Sequence, residues 1–145
     1  MSARSDLSAI PAQQQEWPGS VDDLTPPPDH GESWRGRARP TGTQALITGA
    51  APGLGRAVAV LFAAEGADVA IAYLPQEEAD AQETKALVEA AGRRCALIPG
   101  DLRTAQANID AATTAVEQLG GIDVLVPNAG DAALHGPGVE ALVLG

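Results

Sequence analysis

The sequence predicts an α/β fold, a parallel sheet with helices on both of its faces. Three observations carry that expectation. Short apolar strands alternate with helix-period segments from Gln44 onward, the strands are apolar at nearly every position, and a glycine-rich loop joins the first strand to the first helix. Strands that are apolar on both sides must be covered on both sides, which favours parallel pairing with right-handed helical crossovers.

Ala45-Leu46-Ile47-Thr48 is a short strand running into Gly49. Leu54, Val58, Leu61, Phe62 and Glu65 follow at helical spacing, and Gly66 is placed to stop that helix. Asp68 to Tyr73 reads as a second, buried strand. Glu77 to Ala91 is helical, with an acidic first turn suited to the helix dipole and Gly92 at its end. Arg94 to Ile98 is the third strand, closed by Pro99-Gly100. Thr104 caps a helix that runs to Leu119 and stops at Gly120-Gly121, and Ile122 to Val126 is the fourth strand. Past Gly130 the periodicity decays, leaving only the short apolar stretch Val139–Leu144.

Residues 1–40 differ in kind. They hold six of the eleven prolines and the run Gln13-Gln14-Gln15, without helix or strand periodicity. Such a segment buries too little apolar surface to offset its ordering entropy unaided. It is either a disordered tail or an arm that docks through the apolar faces of Trp17 and Trp34. The expected division is a Pro-rich extension (1–40), a regular β-α segment (41–130) and a C-terminal tail (131–145).

Composition narrows the function classes. The chain has 145 residues, one domain's worth, with 45% apolar and only 3% aromatic residues, so its core must be built from Ala, Val, Leu and Ile. Net charge is -10 and nine Lys and Arg are present in total, too few to cluster for counterion release, which sets nucleic acid aside. The longest apolar run, Ala57 to Ala64, falls far short of the ~20 residues that span a bilayer. No apolar signal region appears in the first twenty residues, and the single Cys95 excludes an intrachain disulfide and a Cys-based zinc site. The expectation is a soluble cytoplasmic protein with no membrane partner.

The chemistry-bearing motif is Thr48-Gly49-Ala50-Ala51-Pro52-Gly53-Leu54-Gly55, between the first strand and the first helix. Glycines there allow a tight turn and close backbone approach, and a helix N-terminus presents free N–H groups to a pyrophosphate. Its G-x-x-x-G-x-G spacing resembles that of the short-chain dehydrogenase/reductase family. Asp101-Leu102 after the third strand and Asn128-Ala129-Gly130 after the fourth are similar to further family landmarks, in the same order. The segment 66–101, with Tyr73-Leu74-Pro75 and Ala81-Gln82-Glu83-Thr84-Lys85, resembles a subgroup of bacterial stress-related reductases that carry a Pro-rich N-terminal extension.

The resemblance implies a Rossmann fold, of which this chain is the N-terminal half: a doubly wound parallel sheet with strand order 3-2-1-4, residues 41–130 forming the NAD(P)-binding half-domain. It also implies NAD(P)-dependent interconversion of an alcohol and a carbonyl. It places the cofactor at Gly49, Gly53, Leu54, Gly55, Asp101, Leu102, Asn128, Ala129 and Gly130, with Asp101 beside the adenine. Two departures matter. Pro127 stands where the family's turn begins with Asn. The family's catalytic Ser and Tyr-x-x-x-Lys have no counterpart, since every serine lies at or before Ser33 and the sole Tyr73 and Lys85 are twelve apart. The expected catalytic set is therefore empty and the chain is limited to nucleotide binding. A non-enzymatic nucleotide-binding or interaction module and a truncated or frameshifted gene product remain as alternatives.

Tyr73 stands at the end of the second strand, where an acidic residue would bind a ribose hydroxyl and favour NAD. That marker is missing, and so is a basic partner for a 2′-phosphate at Pro52 and Leu74; the balance leans to NADP over NAD. Arg56 is either a phosphate contact or, more simply, a solvated helix position. Glu77, Glu78, Asp80 and Glu83 read as a solvated acidic face, His30 and His135 as loop residues without metal spacing, and Cys95 as a small buried hydrophobe. An apolar fourth strand without a further neighbour would template self-association.

Overall fold

A computed structural model describes residues 11–14, 23–31, 34–36 and 42–130. Trp17, His135 and the stretch 139–144 lie outside the described residues. The elements are β1 (Gln44–Thr48), α1 (Gly53–Ala64), β2 (Asp68–Tyr73), α2 (Glu78–Ala90, preceded by a 3-10 turn, Pro75–Glu77), β3 (Cys95–Pro99), α3 (Ala105–Leu119) and β4 (Val124–Val126). All pairings are parallel and the strand order is β3-β2-β1-β4.

The pleat divides the apolar strands between two cores. Ile47, Val69, Ile71 and Tyr73 face one side, against Ala59 and Ala63 of α1 and Ala81 and Val88 of α2. Leu46, Ala70, Ala72, Ala96 and Ile98 face the other, against Ala111, Ala115 and Leu119 of α3. Alanine on the helices lets them lie close to the sheet, which is how a chain with so few aromatics closes its core. Among the described residues no helix is long and apolar enough to cross a membrane.

Helix boundaries follow local chemistry. Thr104 caps α3, its Oγ1 accepting from the Ala107 N–H at 3.2 Å, and Gly120 ends it at φ 93°. The fourth strand is shorter than its apolar run suggests. Ile122 packs towards the α3 side and Asp123 is drawn into capping β1: the Gln44 N–H donates to Asp123 Oδ2 at 2.8 Å, and the Asp123 N–H to Gln44 O at 2.8 Å.

The described part of the N-terminal arm docks on α1. Trp34 Nε1 donates to Glu65 Oε1 at 3.1 Å, and His30 is buried. A Cβ on Gly36 would stand 1.7 Å from Ala64 O, and one on Gly31 2.8 Å from Leu61 Cδ2. Trp34 thus reaches the end of α1 through its indole N–H while the residue stays 47% exposed, and His30 lies in a loop as expected, though buried.

Candidate functional site

The C-terminal ends of β1 and β4 lie side by side, with Ile47 opposite Val126. Helices α1 and α2 pack on one face of the sheet and α3 on the other, so the strand order reverses between these two strands. In open parallel sheets a ligand crevice forms at that reversal.

Two turns meet there. Thr48 Oγ1 accepts from the N–H groups of Asn128 at 3.1 Å and Ala129 at 3.0 Å, and Asn128 Nδ2 donates to Gly49 O at 2.9 Å. A Cβ on Gly49 would lie 2.8 Å from Ala129 Cα, and one on Gly55 would lie 2.2 Å from Gly49 O and 2.8 Å from Asn128 Nδ2. These two glycines serve backbone packing. Gly53 differs, because at φ +65° a Cβ there would meet nothing within 4 Å. It opens the first turn of α1, whose N-cap Pro52 supplies no side-chain hydrogen bond, and Leu54 beside it is 79% exposed. Uncapped N–H groups and the positive end of the helix dipole thus border open space.

Of the nine residues singled out from the sequence, Gly49, Gly55, Asn128 and Ala129 form one contact set, with Gly53 and Leu54 on its open side. The other three behave differently. Asp101, partly exposed after β3, is gripped by Arg103, whose Nε donates to both carboxylate oxygens at 2.9 and 2.8 Å. The side-chain and backbone hydrogen bonds of Arg103 hold the Asp101 carboxyl below its ordinary range. Leu102 packs against the α3-side core, and its carbonyl accepts Asn108 Nδ2 at 2.7 Å. Gly130 is exposed, and a Cβ there would meet nothing within 4 Å.

Several other expectations are corrected. Arg56 is neither solvated nor turned to the open side. Its side chain is 10% exposed and engages Asp80 Oδ1 at 3.0 Å and Glu83 Oε2 at 3.2 Å. The acidic residues at and before the start of α2 do reach solvent as expected, Glu78 and Glu83 being exposed, and each also has a local partner. Asp80 and Glu83 pair with Arg56, Glu77 accepts the Leu74 N–H at 3.0 Å, and Glu78 accepts the Tyr73 hydroxyl at 2.6 Å. Tyr73 points into the core beneath α1 and α2, so its ring does not line the crevice. Burial and the Glu78 carboxylate push its phenol up to about 12. Cys95 is partly buried against the same core, and burial raises its thiol to about 12.

Thr84 was not singled out and is fully buried, its Oγ1 donating to Ala51 O at 2.7 Å. It shares a helix face with Ala81 and Val88, and that spacing is the signal: a hydroxyl on a core-facing stripe must find a partner inside.

A short chain dehydrogenase family model matches residues 43–139. The chain is 50% identical over 122 residues to the uncharacterized oxidoreductase YhxD of Bacillus subtilis, covering 83% of this chain and 41% of the relative. It is 44% identical over 124 residues to general stress protein 39 of the same organism, covering 84% and 43%. The chain thus spans about two fifths of the length of these relatives. Its fold matches a short chain dehydrogenase from Burkholderia cenocepacia solved in complex with NADP (TM-score 0.61, 44% identity, 64% of this chain and 38% of that one). It also matches one from Mycobacterium paratuberculosis bound to NAD (TM-score 0.60, 40% identity, 65% and 39%).

Proposed function

The chain belongs to the short chain dehydrogenase family, and we propose that it binds a nicotinamide dinucleotide at the reversal between β1 and β4. The observation that carries this reading is Gly53: open space beside the first turn of α1, in a turn whose other two glycines, Gly49 and Gly55, are consumed by packing. A pyrophosphate there would accept from the first-turn N–H groups of α1. Gly49, Gly55, Asn128 and Ala129 hold that cradle in shape, and Leu54 and Gly130 flank it. Asp101-Leu102 is assigned to the adenine side, where Asp101 would have to exchange its Arg103 partner for the base. NADP is favoured over NAD, because no carboxylate is aimed from the end of β2 at a ribose hydroxyl: Tyr73 is turned inward and Glu77 and Glu78 are engaged locally. The relatives solved with NADP and with NAD support the cofactor class.

When bound, the dinucleotide supplies a hydride donor or acceptor for an alcohol/carbonyl pair. These residues bind and orient it. Among the described residues no tyrosine–lysine pair faces the crevice for the proton transfer that such a reaction needs: Tyr73 Oη donates to Glu78 Oε2, and Lys85 Nζ lies 3.8 Å from Glu89 Oε1 on α2. The 145-residue chain is therefore proposed to bind without turnover. Calorimetric titration of folded protein with NADP and with NAD tests this; a saturable, weak isotherm is expected, and no heat at millimolar ligand would refute it. Oxidation of NADPH by the pure chain with a simple carbonyl would overturn the second half.

Self-association through β4 is part of the proposal. Among the described residues β4 has one strand neighbour, and Leu125 on it is 59% exposed. Sedimentation should show concentration-dependent association; a monodisperse monomer contradicts it.

A further inference from the structure

We propose that Arg56 and Thr84 are positioning residues for the glycine-rich turn, bracing it from α2 through the carbonyl of Ala51. The inference rests on the dinucleotide reading for its effect on affinity, and on geometry alone for its effect on the turn. Ala51 O accepts Thr84 Oγ1 at 2.7 Å and Arg56 Nε at 3.0 Å. The same Nε lies 3.0 Å from Thr84 Oγ1, and Arg56 Nη2 donates to Asp80 O at 3.1 Å and Asp80 Oδ1 at 3.0 Å. Nη1 pairs with Glu83 Oε2 at 3.2 Å. All three guanidinium nitrogens are thus committed to α2 and the turn. A cation in the first turn of a phosphate-facing helix is here a strut instead of an anion contact.

The turn needs such a strut. Pro52 has no N–H to anchor it, and Gly53 has no side chain and a left-handed φ of +65°. Asn128 pins one end at Gly49 O, and Gly55 is packed against that carbonyl at the other. Between them Gly53 is the permissive position, and ordering it only on ligand binding would subtract from affinity. Two donors on Ala51 O, one of them from a fully buried threonine, order it beforehand. The bonds also couple the turn to α2, an element that otherwise has no part in the crevice.

Thr84→Val tests this, since it keeps the shape and removes the hydroxyl. In the full 145-residue chain, NADPH affinity should fall about tenfold, a change worth ~1.4 kcal/mol. Amide order parameters of Gly53 and Leu54 should drop from the rigid range near ~0.85 towards ~0.6. Thr84→Ser, which restores the hydroxyl, should recover both. Val88→Ala, one turn along α2 in the same core, should lower Tm while leaving both readouts at their wild-type values. Thr84→Val with unchanged order parameters and unchanged affinity would overturn the proposal, as would a Val88→Ala effect of equal size. If the wild-type chain binds neither NADPH nor NADH, the dinucleotide reading falls, and the order parameters alone decide the brace.

Discussion

The two ends of the sheet use polar groups in different ways. At the N-terminal end of the strands, charge is concentrated and spent internally. Asp68, whose side chain is 7% exposed, receives Arg93 at 2.7 Å, Arg94 Nε at 2.9 Å and the Arg94 N–H at 3.1 Å. Arg94 also donates to Leu119 O at 3.0 Å, a cation closing the C-terminus of α3. At the C-terminal end charges are also paired, Arg56 with Asp80 and Glu83 and Asp101 with Arg103. The turns beside the open space, however, are pinned largely by the neutral groups of Thr48, Asn128 and Thr84. At the N-terminal end the paired charges of Asp68, Arg93 and Arg94 close the structure. The candidate site is marked by immobilised main chain with nothing in front of it.

Substitutions at the two ends sharpen that contrast. Gly55→Val should have the largest effect, because its Cβ would meet the Gly49 carbonyl oxygen at 2.2 Å and backbone cannot step aside cheaply. A loss of about 3 kcal/mol or more in denaturant unfolding is expected, at the upper end of overpacking costs. Asp68→Asn, at the opposite end, should cost about 2 kcal/mol by the same measurement, the scale of hydrogen bonds to a charged group. Gly53→Val should cost about 1–2 kcal/mol, for a side chain held at positive φ, and nothing for space. Tyr73→Phe should be smallest, about 1 kcal/mol, for one bond to an exposed carboxylate.

The same pairs set the pH limits of stability. Burial alone would raise the Asp68 carboxyl, but the Arg94 N–H and guanidinium, with Arg93, outweigh it and hold it below its ordinary 3.8. A depressed carboxyl stabilises the fold above that value and stops doing so as pH falls through its folded pKa. Acid unfolding of the wild type should therefore carry an Asp68 component below about pH 4 that Asp68→Asn removes. Tyr73, raised from 10.0 to about 12, contributes in full below pH 10 and loses that contribution between pH 10 and 12. Tyr73→Phe should flatten that alkaline limb in a melting-temperature series.

Much of this was legible in the sequence, for a local reason. Parallel pairing and the helix stops follow from apolar runs, crossovers and glycines, all short-range signals, whereas the strand order came with the family resemblance. The turn at Gly49–Gly55 and its partner at Asn128-Ala129 were legible as a motif. The three-dimensional partners of polar side chains were not. Arg56 looked solvated because helical spacing does not say which neighbouring helix faces it. Asp68 opens an apolar strand, and only the pairing of β2 with β3 brings Arg94 against it. Tyr73 sits at the position that would choose the cofactor, yet the pleat turns it into the core. Ile122 and Asp123 left the fourth strand because capping β1 and packing on α3 competed with extending the ladder.

The most direct measurement compares the two ends in one experiment: dinucleotide affinity per folded molecule for Gly53→Val and Asp68→Asn, each set beside its unfolding free energy. A valine at Gly53 fills the space claimed for the pyrophosphate, whereas Asp68→Asn disturbs only the opposite end. The expected result is abolished NADPH binding in Gly53→Val despite the smaller stability loss, with wild-type affinity retained in Asp68→Asn. Equal affinity in the two variants, or loss that simply tracks stability, would contradict the assignment of the open end as the binding end.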